Sequence, residues 1–515
     1  LNPQLAAAFA LLPQYLGWHV ALSASALALG LMIGLPLAVA AARAPRLRWI
    51  ALTSASLVQT IPSLALLALF YPLLLAISAA LAPLRIKLPA LGFLPSLLAL
   101  TLYSILPILR NTVAGLRGLD PAVVEAADGL GMTPAQRLVR VEAPLAAPVA
   151  MAGVRTAAVW TIGAATLSTP VGQTSLGDYI FSGLQTENWV FVLFGCAASA
   201  VLAISADQLL GLVEAGLERR DLRRIAAGAA ALAIGAFVAL LPLLGGAGPK
   251  DRYVVGAKNF SEQFILAELI AGRLRAAGAA VETKEGLGSV VAFRALQSND
   301  IDVYVDYSGT LWANVLHRTD IPPRAELLAE LTRQLKARYG VTVLGSLGFE
   351  NAYALAMKAD RARTLGVASL SDLAVHAGQL TLGADLEFLS RPEWAGIKKA
   401  YGIQFRSQRS YSPTFMYRAL EDDDVDVISA FSSDGRIAAE HLVTLSDPKN
   451  AIPTYDAVVL ISPRRAGDQR LIAALKPLIG AIPVERMREA NLTVDRDHDK
   501  KTPAEAARAL AAELR

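Results

Sequence analysis

The stretch EAADGLGMTPAQRLVRVEAP, residues 125–144, lies between long apolar runs and carries the marks of two helix starts. Just upstream, Asp120-Pro121 reads as an N-cap and first helical residue: a side-chain acceptor for orphan amides, then a residue with no amide to lose. That helix is expected to run to Leu130, with Gly131 supplying the left-handed residue that ends it. Thr133-Pro134-Ala135-Gln136 starts a second helix at once, with Thr133 and Gln136 spaced as a capping box. Pro144 and Pro148 are expected to close it. Val123, Ala127, Leu130, Leu138 and Val141 make an apolar stripe at helical spacing, while Glu125, Asp128 and Arg137 face elsewhere. The pattern predicts two short helices with a sharp joint. Such a unit serves either as an amphipathic segment lying on lipid or as a rigid knob for a partner.

The flanks are membrane-like. A span needs about 20 apolar residues, and candidates fall at about 19–42, 51–72, within 73–110, 147–168, 188–213 and 225–246. The first run is too long for a signal-peptide core and ends in Arg43, Arg46 and Arg48, which fits a retained span. Arg clusters at 43–48, at Arg110, Arg117, Arg137 and Arg140, and at 219–224 fall on one side if five spans start from outside. By the positive-inside rule that side is cytoplasmic; Arg85 and Lys87 dissent mildly. The sixth span then delivers residues 251–515 to the outside, after the short linker LLGGAGPKD (243–251).

Charge divides the chain in the same place. Residues 1–250 hold 15 Lys+Arg and 10 Asp+Glu, leaving 33 and 34 of the chain's 48 and 44 for residues 251–515. The net charge of +4 therefore sits beside apolar spans, where membrane orientation explains it; no nucleic-acid partner is implied. Cys196 is the one cysteine and the five histidines show no ligand spacing, so no intrachain disulfide, metal or cofactor is expected.

Glu125-Ala126-Ala127, Gly131 six residues after the glutamate, and Pro144 resemble the EAA loop of ABC-importer permeases. The resemblance covers roughly 15–215, and VQTIPSLALLAL (58–69) is similar to the osmoprotectant branch of that family. It departs at Ala143-Pro144, where the family usually has Leu-Pro. The resemblance implies a coupling helix in which Glu125, Ala126, Ala127 and Gly131 engage a separate cytoplasmic ATPase subunit. It also implies a homodimer, since one set of about five spans is half a translocator.

The second half alternates strands with helices, an α/β pattern. YVVGA (253–257) reads as a strand and 261–278 as an amphipathic helix capped by Ser261. RALQSNDIDVYVDYSG (294–309) aligns without gaps to RALEDDDVDVISAFSS (418–433), which places Tyr307 and Phe431 at matching strand ends of two similar lobes. Ligands of open α/β sheets bind beyond such ends. A helix N-terminus, favourable to an anion, is expected at Ser308-Gly309-Thr310 and again at Ser432-Ser433. Aromatic faces with anion-binding ends suit a zwitterion, because a quaternary ammonium donates no hydrogen bond and needs π-faces. Tyr353, Tyr411 and Tyr417 can add walls, or all these rings can be ordinary core. Glu262, Asp306 and Glu350 can also meet in the cleft.

GAKNFSEQ (256–263), YVDYSGT (304–310), GFENAYAL (348–355), GADLEFLSRPEW (383–394) and AFSSDGRI (430–437) are similar to the glycine betaine/choline/carnitine binding-protein family. That resemblance covers nearly all of 253–515. It implies two lobes joined by crossover strands, near 353–358 and 455–460, and ligand contacts at Asn259, Tyr307, Thr310, Tyr353, Arg391, Tyr411 and Phe431. Arg391 reads equally as a surface ion pair. Phe431 stands where choline-type members often carry tyrosine. Fusion of the two parts also resembles importers for ergothioneine, a trimethylammonium betaine of thiohistidine.

The expected architecture is thus a membrane all-α permease followed by a two-lobed α/β binding domain. Its parts are a permease at 1–217, an extra span and linker at 218–250, and a binding domain at 251–515. Lobe 1 is expected at about 253–355 and 458–515, and lobe 2 at about 356–457. No catalytic residues are assigned: no GxSxG, HExxH or phosphate-cradling GxxxxGK[ST] loop is present. A membrane-anchored sensor or an anchored enzyme are the other classes these parts could build.

Overall fold

The computed structural model describes residues 3–81, 83, 88–186, 188–244, 252–318, 320, 322–496 and 499–514. Residues 245–251 of the expected linker, together with Arg85, Lys87 and His498, lie outside them. The chain forms two compact units, one helical and one α/β.

In the helical unit, α1 (Pro3–Arg43), α2 (Pro45–Thr60), α3 (Ser63–Ala80) and α4 (Phe93–Arg117) precede the loop helices α5 (Pro121–Gly129) and α6 (Pro134–Arg137). Then come α7 (Ala143–Ala165), α8 (Gly177–Gln185), α9 (Trp189–Arg219) and α10 (Leu222–Leu244). Five helical stretches among the described residues are long and apolar enough to cross a membrane. The expected span at 51–72 is not one straight helix, and counts as a sixth crossing only if the bent pair is taken as a single broken span. Its residues belong to two helices bent by 102° at Ile61-Pro62, because a residue before proline is pushed out of the α region and Ile61 is extended.

A second correction concerns the loop. Pro144 and Pro148 do not close the second helix, since residues Pro134–Val171 form one continuous stretch. A π turn at Leu138–Glu142 joins α6 to α7, with the Ala143 amide donating to the Leu138 carbonyl. The wider turn absorbs the amide that Pro144 lacks.

Small residues let the spans approach. A Cβ on Gly30 would stand 1.9 Å from Ser104 Oγ, and one on Gly153 would stand 2.6 Å from the Pro107 carbonyl oxygen. Close backbone contact of this kind holds helices together where lipid is as apolar as leucine. One charged cluster links two spans: Arg155 on α7 donates to Asp207 at 2.9 and 3.0 Å and to Glu214 at 2.7 Å, both on α9.

The α/β unit has two five-stranded sheets. The first has the order β2 (Ala280–Leu287), β1 (Arg252–Lys258), β3 (Val303–Tyr307), β10 (Asp456–Ile461), β4 (Thr342–Glu350). The second has the order β7 (Ser407–Ser410), β6 (Thr381–Ala384), β8 (Val427–Phe431), β5 (Tyr353–Lys358), β9 (Leu442–Thr444). In each, a parallel trio meets an antiparallel pair. The sequence repeat therefore occupies the same central place in both sheets, as β3 and β8. The chain crosses between sheets through 351–352 and 445–455. β5 and β10, where crossover strands were expected, each pair within one sheet only.

The helix after β1, α11 (Ser261–Ala276), is buried on most sides rather than amphipathic. Ser261 is not its cap; the capping position is Phe260, and the Ser261 hydroxyl donates to Asp495 instead.

Gly153→Leu is expected to lower the thermal unfolding midpoint of the detergent-purified chain, because overpacking costs about 1–3 kcal/mol or more. Gly163→Leu, on the same helix with nothing within 4 Å of its Cβ, is expected to leave the midpoint unchanged.

Candidate functional site

The loop at 120–142 is a braced elbow. Asp120 accepts from the Ala122 amide at 2.9 Å, Gly131 takes the left-handed conformation at φ +72°, and Thr133 and Gln136 complete their capping box. Arg137 chelates Asp128 with two 2.7 Å bonds and reaches Glu142 at 2.7 Å. Glu142 also meets Arg43, at the end of α1, at 3.3 Å. A single exposed pair of this kind contributes little; linked across both helices and α1, the charges fix the angle of the joint. Ala127 is buried on this frame, while Glu125, Ala126 and Gly131 are exposed. Leu130 is 78% exposed.

In the α/β unit, a cavity of about 430 Å³ lies beyond the ends of β3 and β8, and all seven expected contact residues line it. β3 delivers Tyr307 and β8 delivers Phe431. Tyr353 opens β5, and its ring sits 4.8 Å from Phe431 and 5.6 Å from Tyr455. Thr310 follows Tyr307 in a short helix (Ser308–Thr310). Asn259 follows β1, and Tyr411 follows β7.

Arg391 is 5% exposed, so it is no surface ion pair. Its guanidinium stands 5.0 Å from the Tyr353 ring centroid, donates to Thr310 Oγ1 at 3.5 Å and pairs with the buried Glu393 at 3.4 Å. Glu393 in turn accepts the Tyr455 hydroxyl. Tyr417, also offered as a wall, lies in the core with the Arg436 guanidinium 3.9 Å from its ring, and is not part of the cavity lining.

Sequence reasoning missed Phe260, although it lies inside the quoted GAKNFSEQ. Its ring stacks on Phe431 at 6.1 Å and 5°, and on Tyr307 at 6.1 Å and 27°. Lys258, Asn351, Asp385 and Tyr455 were missed too. The anion-site expectation at Ser432-Ser433 is corrected. No helix begins there; the next one starts at Arg436. Ser432 instead stitches the sheet crossing, exchanging bonds with Ala352 at 2.9 Å in both directions.

The three carboxylates do not meet in the cleft. Asp306 pairs with Lys258 at 2.7 Å. Glu350 faces Arg324 at 3.4 Å. Glu262 accepts from Tyr307, Asn351, Ser433 and Asn491. Burial pushes the Glu262 carboxyl above its usual range, against the pull of those four donors. Burial, then the Glu262 charge, pushes the Tyr307 hydroxyl far up.

A two-lobed α/β unit with an aromatic cavity, joined to a membrane bundle with an exposed elbow, defines the class: a solute-binding domain fused to a transport permease. Residues 251–513 match the family model for the substrate binding domain of an ABC-type glycine betaine transport system, and residues 30–219 match that for the binding-protein-dependent transport system inner membrane component. The chain belongs to the ABC-type glycine betaine transport family and is an inner-membrane ABC importer subunit in which permease and binding domain are fused. Neither matching model is a catalytic domain.

The chain is 29% identical over 416 residues, 78% of its length, to the ergothioneine transport permease/ergothioneine binding protein of Helicobacter pylori (strain G27), of which the match covers 72%. It is 39% identical over 207 residues, 40% of its length, to a choline transport system permease protein of Bacillus subtilis (strain 168), covering 88% of that protein. A crystal structure of a glycine betaine/carnitine/choline ABC transporter aligns over 51% of the chain and 98% of its own, at 27% identity and a TM-score of 0.45.

Behind the cavity, burial lifts the Asp495 carboxyl to about 6 from an ordinary 3.8, with Arg436 pulling it back. The folded state thus holds this proton more tightly than the unfolded chain. Its stabilising contribution is complete below pH 3.8 and is lost as pH rises through about 6. The difference in thermal midpoint between Asp495→Asn and the parent chain is expected to move in favour of the variant between pH 4 and pH 7. A pH-independent difference would contradict this.

Proposed function

We propose that residues 251–515 bind a quaternary-ammonium zwitterion of the glycine betaine, choline and carnitine class and hand it to the permease formed by residues 1–217. The observation that carries this reading is the cavity itself. Rings from both sheets line it, and one buried guanidinium stands at its wall. A methylated ammonium gains from π-faces what it cannot gain from hydrogen bonds, and a carboxylate pairs with Arg391, helped by Thr310 and Asn259. The seven lining residues Asn259, Tyr307, Thr310, Tyr353, Arg391, Tyr411 and Phe431 act as the ligand contacts. Lobes at about 253–355 with 458–515, and at about 356–457, close on the ligand, and residues 218–250 supply the extra span and linker.

In this reading the chain is a transport subunit with no ATPase of its own. A separate cytoplasmic ATPase engages Glu125, Ala126, Ala127 and Gly131 at the elbow, and two copies of the chain complete the translocator. A second reading, ergothioneine as the ligand, is favoured by the similarity to the Helicobacter pylori protein, which spans both halves of this chain. The Asp385 carboxylate at the cavity wall offers an acceptor to a ring N–H.

Two variants separate the parts. Glu125→Arg is expected to abolish uptake in proteoliposomes with the ATPase while ligand affinity stays unchanged; normal uptake sinks the coupling role. Phe431→Ala is expected to weaken ligand binding about tenfold, a loss of about 1–2 kcal/mol, as read by calorimetry.

A further inference from the structure

Apart from Tyr307, the hydrogen-bond hub behind the cavity plays no part in the reading above. Glu262 is 3% exposed, and its two oxygens take four donors. Tyr307 Oη and Asn351 Nδ2 donate to Oε1; Ser433 Oγ and Asn491 Nδ2 donate to Oε2. The donors come from the end of β3, the crossing at 351–352, the turn after β8 and the helix Val484–Asp495. Two of them are side-chain amide N–H groups, which cannot accept a proton. Each carboxyl oxygen thus keeps one partner that can only donate, an arrangement that favours the ionised form against the burial that opposes it.

The other charges beside Tyr307 offset each other. Lys258 Nζ stands 4.8 Å from the Tyr307 ring centroid, but Asp306 lies 2.7 Å from it. All four partners of Glu262 are neutral, so its charge is not offset at contact distance. A hydroxyl donating to a carboxylate makes a short, charge-assisted bond. That bond polarises the phenol O–H and shifts electron density into the ring, making its face more negative, with the Gln263 amide donating to the same oxygen at 3.0 Å as a smaller opposing pull.

Resting on the quaternary-ammonium reading of the cavity, we infer that Glu262 is a positioning residue that sets the site's preference for a cation. It holds the Tyr307 hydroxyl proton, enriches the Tyr307 ring in electrons and so strengthens that ring's attraction for a methylated ammonium. Glu262 acts through Tyr307, without touching the ligand. The same carboxylate ties the two lobes' rings together, since Ser433 lies two residues beyond Phe431.

The test uses the full chain in detergent and two pairs of compounds equal in shape but unequal in charge. Glycine betaine is paired with 3,3-dimethylbutanoate and choline with 3,3-dimethylbutan-1-ol, carbon replacing nitrogen in each case. In the parent chain the ammonium compound binds more tightly than its carbon twin, one positive charge being the only difference within each pair. In Glu262→Gln and in Tyr307→Phe that preference is expected to fall by about fivefold, whereas Ser433→Ala is expected to lower both affinities together. Equal losses for both members of a pair in Glu262→Gln would make the residue a brace alone and overturn the inference. Should Glu262→Gln fail to fold, Tyr307→Phe decides: it keeps the ring and the carboxylate, and an unchanged preference there overturns the inference equally. If the parent chain binds neither pair, or does not distinguish their charges, the glycine betaine and choline reading of the cavity falls, and the inference with it.

Discussion

Phe260 from the first lobe lies parallel to Phe431 from the second, 6.1 Å apart, and the rest of the exported unit serves that meeting. A permanently charged, fully methylated cation leaves water only for π-faces and a favourable field. No single sheet presents rings on all sides of such a group. Two sheets of matching order do, because the same central strand in each ends in an aromatic residue, Tyr307 or Phe431. The antiparallel partners β10 and β5 then carry the chain away in a way that lets each lobe keep its own sheet.

The hub at Glu262 shows what that arrangement demands behind the rings. A buried charge is costly unless its hydrogen-bonding capacity is filled, and here four neutral donors fill it. They bind together two strand ends, a crossing and a C-terminal helix, so the ring positions are set by the same bonds that stabilise the charge. The membrane unit solves a similar problem differently. Arg155, Asp207 and Glu214 pair within the spans, and the Cβ-free faces of Gly30 and Gly153 bring helices close enough for dispersion to hold them.

Much of this was legible in the sequence where local rules are strong. Asp120-Pro121, Gly131 and the Thr133–Gln136 box each specify a backbone conformation within four residues, and each formed as spelled. The gapless repeat put Tyr307 and Phe431 at equivalent strand ends because strand position is set by pattern. What failed depended on longer-range compensation. Hydropathy saw 51–72 as one span, since an average over a window does not register the 102° bend at Ile61-Pro62. Pro144 looked like a stop because the π turn that accommodates it has no signature in the residues themselves. Phe260 was passed over since its partners lie 47 and 171 residues away, and Glu262 looked like a cleft carboxylate until its four donors were in place.

A quaternary ammonium held in the aromatic cavity is what the two matched sheets, the rings and the hub behind them all serve. The most direct measurement is titration calorimetry of the full chain with glycine betaine, choline, carnitine and ergothioneine. Saturable binding of at least one of them at a single site per chain is expected. Binding of none, or tight capture of a solute without a quaternary ammonium, would contradict it.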